Sequence, residues 1–91
     1  MAVETYPCYI RVRGSDESEG LVEVPTESNG TMMLSTLVGQ FPKAIGLRFK
    51  SESGGWRGVA ISEEELFQIP LAGWGSTEYN VVRPRRGRWN E

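Results

Sequence analysis

Four groups of side chains in this 91-residue chain could do chemistry: the single thiol of Cys8, the acidic run Glu63-Glu64-Glu65, the acids from Asp16 to Glu27, and the arginines Arg83, Arg85, Arg86 and Arg88. Their types and spacing argue against catalysis. The sequence has no histidine, which removes the commonest general base, the usual metal ligand and every serine–histidine or cysteine–histidine arrangement. Cys8 stands beside Pro7 at the start of an expected strand, and an inert structural or incidental thiol is the reading of choice. Consecutive residues do not share one helix face, so Glu63-Glu64-Glu65 makes a poor metal cage. A solvated helix start, favoured by the macrodipole, accounts for that run. Gly54-Gly55 and Gly73-Trp74-Gly75 lack the spacing and the lysine of a phosphate-binding loop. Arg57-Gly58-Val59 is too short to stand for the aromatic, glycine-rich signature of an RNA-recognition motif. No enzymatic activity, cofactor or metal is expected.

The charges point to binding. The chain carries ten bases and twelve acids, a net charge of -2, but they are unevenly spread. Residues 83–91 hold four arginines and one acid, which leaves six bases against eleven acids in residues 1–82, a net charge of about -5. An acidic body of this kind is a poor general binder of nucleic acid. The tail could hold nucleic acid weakly, with Trp89 stacking on bases; an import signal or a solubilising linker is the competing reading. Within the body no base interrupts Asp16 to Glu27, whereas Arg48, Lys50 and Arg57 come later. If these patches lie on opposite sides, a contact between them is heterologous and builds chains or rings instead of closed pairs.

The elements that must position these charges are short. A chain of this length buries roughly 60–65% of its unfolded surface, enough for one small core. Hydrophobic residues make up 38% and aromatic residues 10%, which argues against wholesale disorder. No apolar run approaches the ~18–20 residues of a membrane span, and the N-terminus lacks the pattern of a secretory signal. With Cys8 as the only cysteine no internal disulfide can form. Residues 1–7 read as a loose leader, 8–83 as the domain and 84–91 as a basic tail or the start of a linker. Cys8 to Arg13 alternates like a half-buried strand, with Tyr9, Arg11 and Arg13 on one face and Ile10 and Val12 on the other. Leu21 to Val24 is a second strand stopped by Pro25.

Thr31 is placed to cap a helix whose apolar face carries Met33, Leu34, Leu37 and Phe41 and which ends at Phe41 because Pro42 follows. Val38 is read as an exposed apolar residue of that helix, available to an interface. Gly46 is expected to supply a positive-φ turn before a strand at Leu47 to Phe49. Trp56 to Ile61 reads as a strand kinked at Gly58, Glu63 to Ile69 as a short helical turn, and Gly73-Trp74-Gly75 as a tight loop around a packed tryptophan. Tyr79, Val81 and Val82 suit a last strand ended by Pro84. The expected core is Ile10, Val12, Val22, Val24, Leu34, Leu37, Phe41, Leu47, Phe49, Val59 and Val81. One helix packed on a mixed sheet is a two-layer α+β solution, and this element order is that of a β-grasp, or ubiquitin-like, domain, although composition alone does not choose it over other small α+β folds.

A longer pattern runs through the chain. Tyr9-Ile10-Arg11-Val12, Glu23-Val24-Pro25, Gly30-Thr31, Leu34-Ser35-Thr36, Gln40-Phe41-Pro42, Gly46-Leu47-Arg48, Arg57-Gly58-Val59, Gly73-Trp74-Gly75 and Tyr79 occur in an order and spacing that resembles the N-terminal domain of the TAR DNA-binding protein family. The resemblance covers about residues 8–84. It implies a ubiquitin-like fold, similar to the DIX self-assembly domain. It also implies non-catalytic, head-to-tail self-association that supports multivalent nucleic-acid binding, RNA processing and splicing regulation. RNA or DNA would be bound by other domains of a longer protein. The implied setting is nuclear, with shuttling to the cytoplasm, and the basic tail falls where the family's import signal begins.

Residue by residue, the resemblance implies an acidic surface at Glu23 and Glu27. A third family acid falls on Gly20, with Glu19 beside it as a substitute. The opposite surface is implied at Gln40 and Arg57, while a second family arginine falls on Ala60 and is lost. A phosphorylatable serine corresponds to Ser53, or to Ser51 by the alternative placement of a gap. The family's hydrophobic contact falls on the polar Thr77 and Glu78, and its two internal cysteines are replaced at Ile45 and near Gly55. Two other readings stay open: weak nucleic-acid binding through the arginine tail, and a ubiquitin-like adaptor for other proteins.

Overall fold

The computed structural model describes residues 5–84. Strands β1 (Tyr9–Arg13), β2 (Leu21–Pro25), β4 (Gly46–Lys50), β5 (Trp56–Gly58) and β7 (Glu78–Val82) form one sheet, in the order β2-β1-β7-β4-β5. Between β2 and β4 lie a two-residue strand, β3 (Met32–Met33), and the helix α1 (Leu34–Gln40). A second two-residue strand, β6 (Leu66–Phe67), pairs with β3 in a small ribbon of its own. β1 runs parallel to β7 and antiparallel to β2, and β4 is antiparallel to both β7 and β5. A mixed five-stranded sheet with one helix, its first and last strands paired at the centre, is the α+β, β-grasp arrangement. No described helix is long and apolar enough to cross a membrane.

Strand alternation sets the two faces. In β1, Ile10 and Val12 are buried while Tyr9, Arg11 and Arg13 are exposed, so one sheet face packs on the core and the other meets water. Of the expected core, Ile10, Val12, Val24, Leu37, Phe41, Leu47 and Val81 are buried, and Val22, Leu34, Phe49 and Val59 are partly buried against it. Met32, Ala44, Phe67, Trp74 and Tyr79 complete the buried cluster. Trp74 anchors the 71–76 loop: its Nε1 donates to the Gly30 carbonyl at 2.7 Å, and the Tyr79 hydroxyl donates to the Trp74 carbonyl at 3.1 Å. Tyr79 packs edge-on against both Trp74 and Phe49. Gly30 has a φ of 92°, and a Cβ there would come within 2.5 Å of Ile69 Cδ1 and 2.9 Å of the Tyr6 ring. Only glycine fits.

Several local expectations are corrected. Thr31 does not cap α1. Its hydroxyl and its N–H both donate to Asn29 Oδ1, at 2.7 and 3.1 Å. The N-cap is Met33, with no side-chain cap. The first helical N–H, that of Leu34, instead donates to the Glu65 carbonyl at 2.9 Å, so a tertiary partner does the work of a cap. Met33 is therefore a strand residue. Val38 is half-buried against the core, because Leu34, Leu37, Val38 and Phe41 share the i, i+3, i+4, i+7 stripe. The helix does end at Phe41.

Gly46 opens β4 without a positive φ; the left-handed residue before that strand is Lys43, at 70°. The strand from Trp56 ends at Gly58, and Ile61 bridges to Phe67 instead. Glu63 to Ile69 is no helix. The Ser62 hydroxyl accepts from the N–H groups of Glu64 and Leu66, Glu65 turns at a φ of 64°, and the chain enters β6. Tyr6, assigned to the loose leader, packs against the core.

Candidate interaction surfaces

The sheet order puts the two charged regions on different edges. β2 and β5 are the outermost strands, with β1, β7 and β4 between them. Four strand spacings of about 4.8 Å place the edges roughly 19 Å apart.

The acidic edge begins at a 3-10 turn, Glu17–Glu19, which the Asp16 side chain caps in a reciprocal box with Glu19. Glu23 lies on β2 with its side chain on the open sheet face, opposite Arg11 in register. Glu27 is half-buried in the following turn. Glu23 is exposed, and among the described residues neither Glu23 nor Glu27 belongs to an ion pair. Glu19 differs. Its two carboxylate oxygens accept from Arg83 Nη1 and Nη2 at 2.7 and 2.6 Å, a bidentate pair. The same guanidinium donates to the Pro42 carbonyl at 2.9 Å and to Ser15 Oγ at 2.7 Å. The Arg83 hydrogen bonds hold the Glu19 carboxyl below the ordinary carboxylate range; partial burial opposes this, and the Asp16 N–H adds to it. Arg83, grouped with the tail arginines by sequence, is thus fastened to the body, where it ties the exit of α1 to the 3-10 turn. Arg85, Arg86, Arg88 and Trp89 lie outside the described residues.

The basic edge is the β4–β5 hairpin. Its turn is closed by Ser51 N–H donating to the Gly55 carbonyl and Gly54 N–H donating to the Ser51 carbonyl, at 2.7 and 2.9 Å. Ser51 and Ser53 hydroxyls meet at 2.9 Å, and of the two Ser53 is the exposed one. Arg57 faces Phe49 in register, is exposed, and forms no ion pair among the described residues. On the other face of the same strand Trp56 lies opposite Lys50. The Arg48 guanidinium carbon stands 4.3 Å and Lys50 Nζ 5.3 Å from its ring centroid. Gln40 is exposed at the last position of α1 and joins neither charged group through a described hydrogen bond. Thr77, exposed, lines with Arg57, Phe49, Val59, Leu71 and Tyr79 a surface groove of about 570 Å³. Glu78 pairs with Arg13 on the open sheet face.

Sequence reasoning missed the cluster of Arg48, Lys50 and Trp56. The signal was present in the hairpin register: residues two apart on β4 share a face, and a five-residue turn brings Trp56 back opposite Lys50. It also missed the sorting of charges into pairs. Arg13–Glu78 and Arg83–Glu19 neutralise themselves within the body, whereas Glu23, Glu27 and Arg57 form no ion pair among the described residues. This sheet, with its parallel central pair and the buried tryptophan loop, lies within residues 9–83, which match the family model described as TAR DNA-binding protein 43, N-terminal domain, and the chain belongs to that family.

Proposed function

We propose that this chain is a non-catalytic self-association domain of a larger RNA/DNA-binding protein. It assembles head to tail, the acidic edge of one copy meeting the basic edge of the next. The observation that carries this reading is that, among the described residues, acids outside any ion pair stand on β2 and after it, while an arginine outside any ion pair stands on β5, the opposite edge of the same sheet. A contact between unlike surfaces leaves one of each free and can propagate.

Glu23 and Glu27 form the acidic side of this contact, with Glu19 in a supporting place because Arg83 already occupies its carboxylate. Arg57 forms the basic side, with Gln40 beside it in the assembly. Val38 contributes through its exposed fraction. Ser53 regulates: a phosphate in the turn before Arg57 brings negative charge to the basic edge and repels the acids of the next copy. Chains of such domains would raise the effective concentration of nucleic-acid-binding modules carried further along the protein, which suits RNA processing in the nucleus, with shuttling to the cytoplasm.

Sedimentation velocity over a concentration series at low and moderate salt tests the reading. The expected result is a sedimentation coefficient that rises with concentration and rises less as salt screens the contact. A coefficient that stays at the monomer value throughout would overturn it.

A further inference from the structure

The basic edge carries one large residue that the charge argument does not use. Trp56 is 47% exposed on the outermost strand. Arg48 and Lys50 stand over its ring. Tryptophan and arginine are among the residues most enriched where interfaces carry their energy. Its surroundings are an aromatic plate bordered by cations.

The opposite edge carries an acid flanked along its own strand by apolar groups. On the open face of β2, Glu23 stands between Leu21 and Pro25; across the strand pair, Tyr9 is opposite Pro25, Arg11 opposite Glu23 and Arg13 opposite Leu21, with Arg13 already paired to Glu78. Leu21 is 38% and Tyr9 66% exposed. We propose that Trp56 is the anchor of the head-to-tail contact. Its ring seats on the apolar frame of Leu21, Pro25 and Tyr9 of a second copy of this chain, while Arg48 and Lys50 meet Glu23. Arg57, projecting from the other face of β5, then faces the turn that carries Glu27. The proposal rests on the self-association reading and adds to it a hydrophobic centre inside the charged rim.

The full chain and its variants, compared by sedimentation velocity at one salt concentration, provide the test. Trp56→Ala should weaken association by about tenfold or more, the effect of removing an interface anchor, while its thermal melt stays close to that of the parent. Association in Trp56→Ala equal to the parent's, with Glu23→Arg still weakening it, overturns the anchor and leaves head-to-tail assembly standing. A parent chain that never associates overturns assembly itself. A second measurement leaves Trp56 untouched. In a Trp89→Phe chain, with Trp74 buried, acrylamide quenching of tryptophan emission reports on Trp56. Quenching should fall as concentration rises through the association range and stay constant in the same chain carrying Glu23→Arg. Quenching that stays constant in both overturns the proposal.

Discussion

Reversing one charge on either edge should break self-association, and mixing the two broken proteins should restore it. Glu27→Arg places a cation where the next copy presents Arg57, and Arg57→Glu places an acid where the next copy presents Glu27. Neither substitution removes an ion pair among the described residues. Glu27 lies in the turn after β2 and Arg57 is exposed on the edge strand β5, so each change is expected to alter folding stability by no more than about 0.5 kcal/mol. At the contact, a unit pair about 4 Å apart is worth about 1 kcal/mol where water screens it fully. Turning attraction into repulsion swings the contact by about 2 kcal/mol, or about 30-fold in the dissociation constant. Each variant alone should therefore sediment as a monomer at concentrations where the parent associates. In an equimolar mixture every junction between unlike variants pairs opposite charges, either the original two or the exchanged two, so the association should return. Two variants that each fail alone and also fail together would refute the complementary-edge argument, because the mixture supplies both charge combinations.

Ser53→Asp should lower association, and light scattering at fixed concentration would show it; undiminished scattering would exclude a regulatory role for that turn. Arg83→Ala should destabilise the domain at neutral pH. Because the Arg83 hydrogen bonds depress the Glu19 carboxyl, the pair's contribution is complete above the ordinary carboxylate value and is lost as pH falls through the depressed one. Urea midpoints of parent and variant should accordingly converge on acidification, and a constant gap between them would contradict that linkage. Leu37→Ala, at a fully buried position, should cost about 2–5 kcal/mol, while Leu34→Ala, half-buried, should cost clearly less; equal losses in chemical denaturation would contradict the observed packing of α1.

The α+β class and most strands were legible because alternation and helical spacing act locally: Ile10 and Val12 against Arg11 and Arg13, or Leu34 and Leu37 ahead of the Pro42 stop. What was not legible depends on partners distant in sequence. Thr31 has the chemistry of a cap, yet the first helical N–H finds the carbonyl of Glu65 instead. Leu66 and Phe67 sit in a segment with helical spacing but pair with Met33 and Met32, and tertiary pairing outweighs so short a local preference. Arg83 shares its composition with the tail, and only the fold brings Ser15, Glu19 and Pro42 to it. The charged residues named for the interface could be read by type. Which of them remain outside ion pairs in the folded body could not, since that depends on the strand order.

The parallel pairing of β1 with β7 has a consequence during synthesis. Residues 14–77 separate the two strands. At about 5–20 residues per second, the first strand waits roughly 3–13 s on the ribosome for its central neighbour. During that interval β1 can pair only with β2, and its other edge, alternating Ile10 and Val12 with arginines, is an open template for foreign strands. The arginines that flank those two apolar residues are then the nascent chain's protection against neighbours on the same messenger.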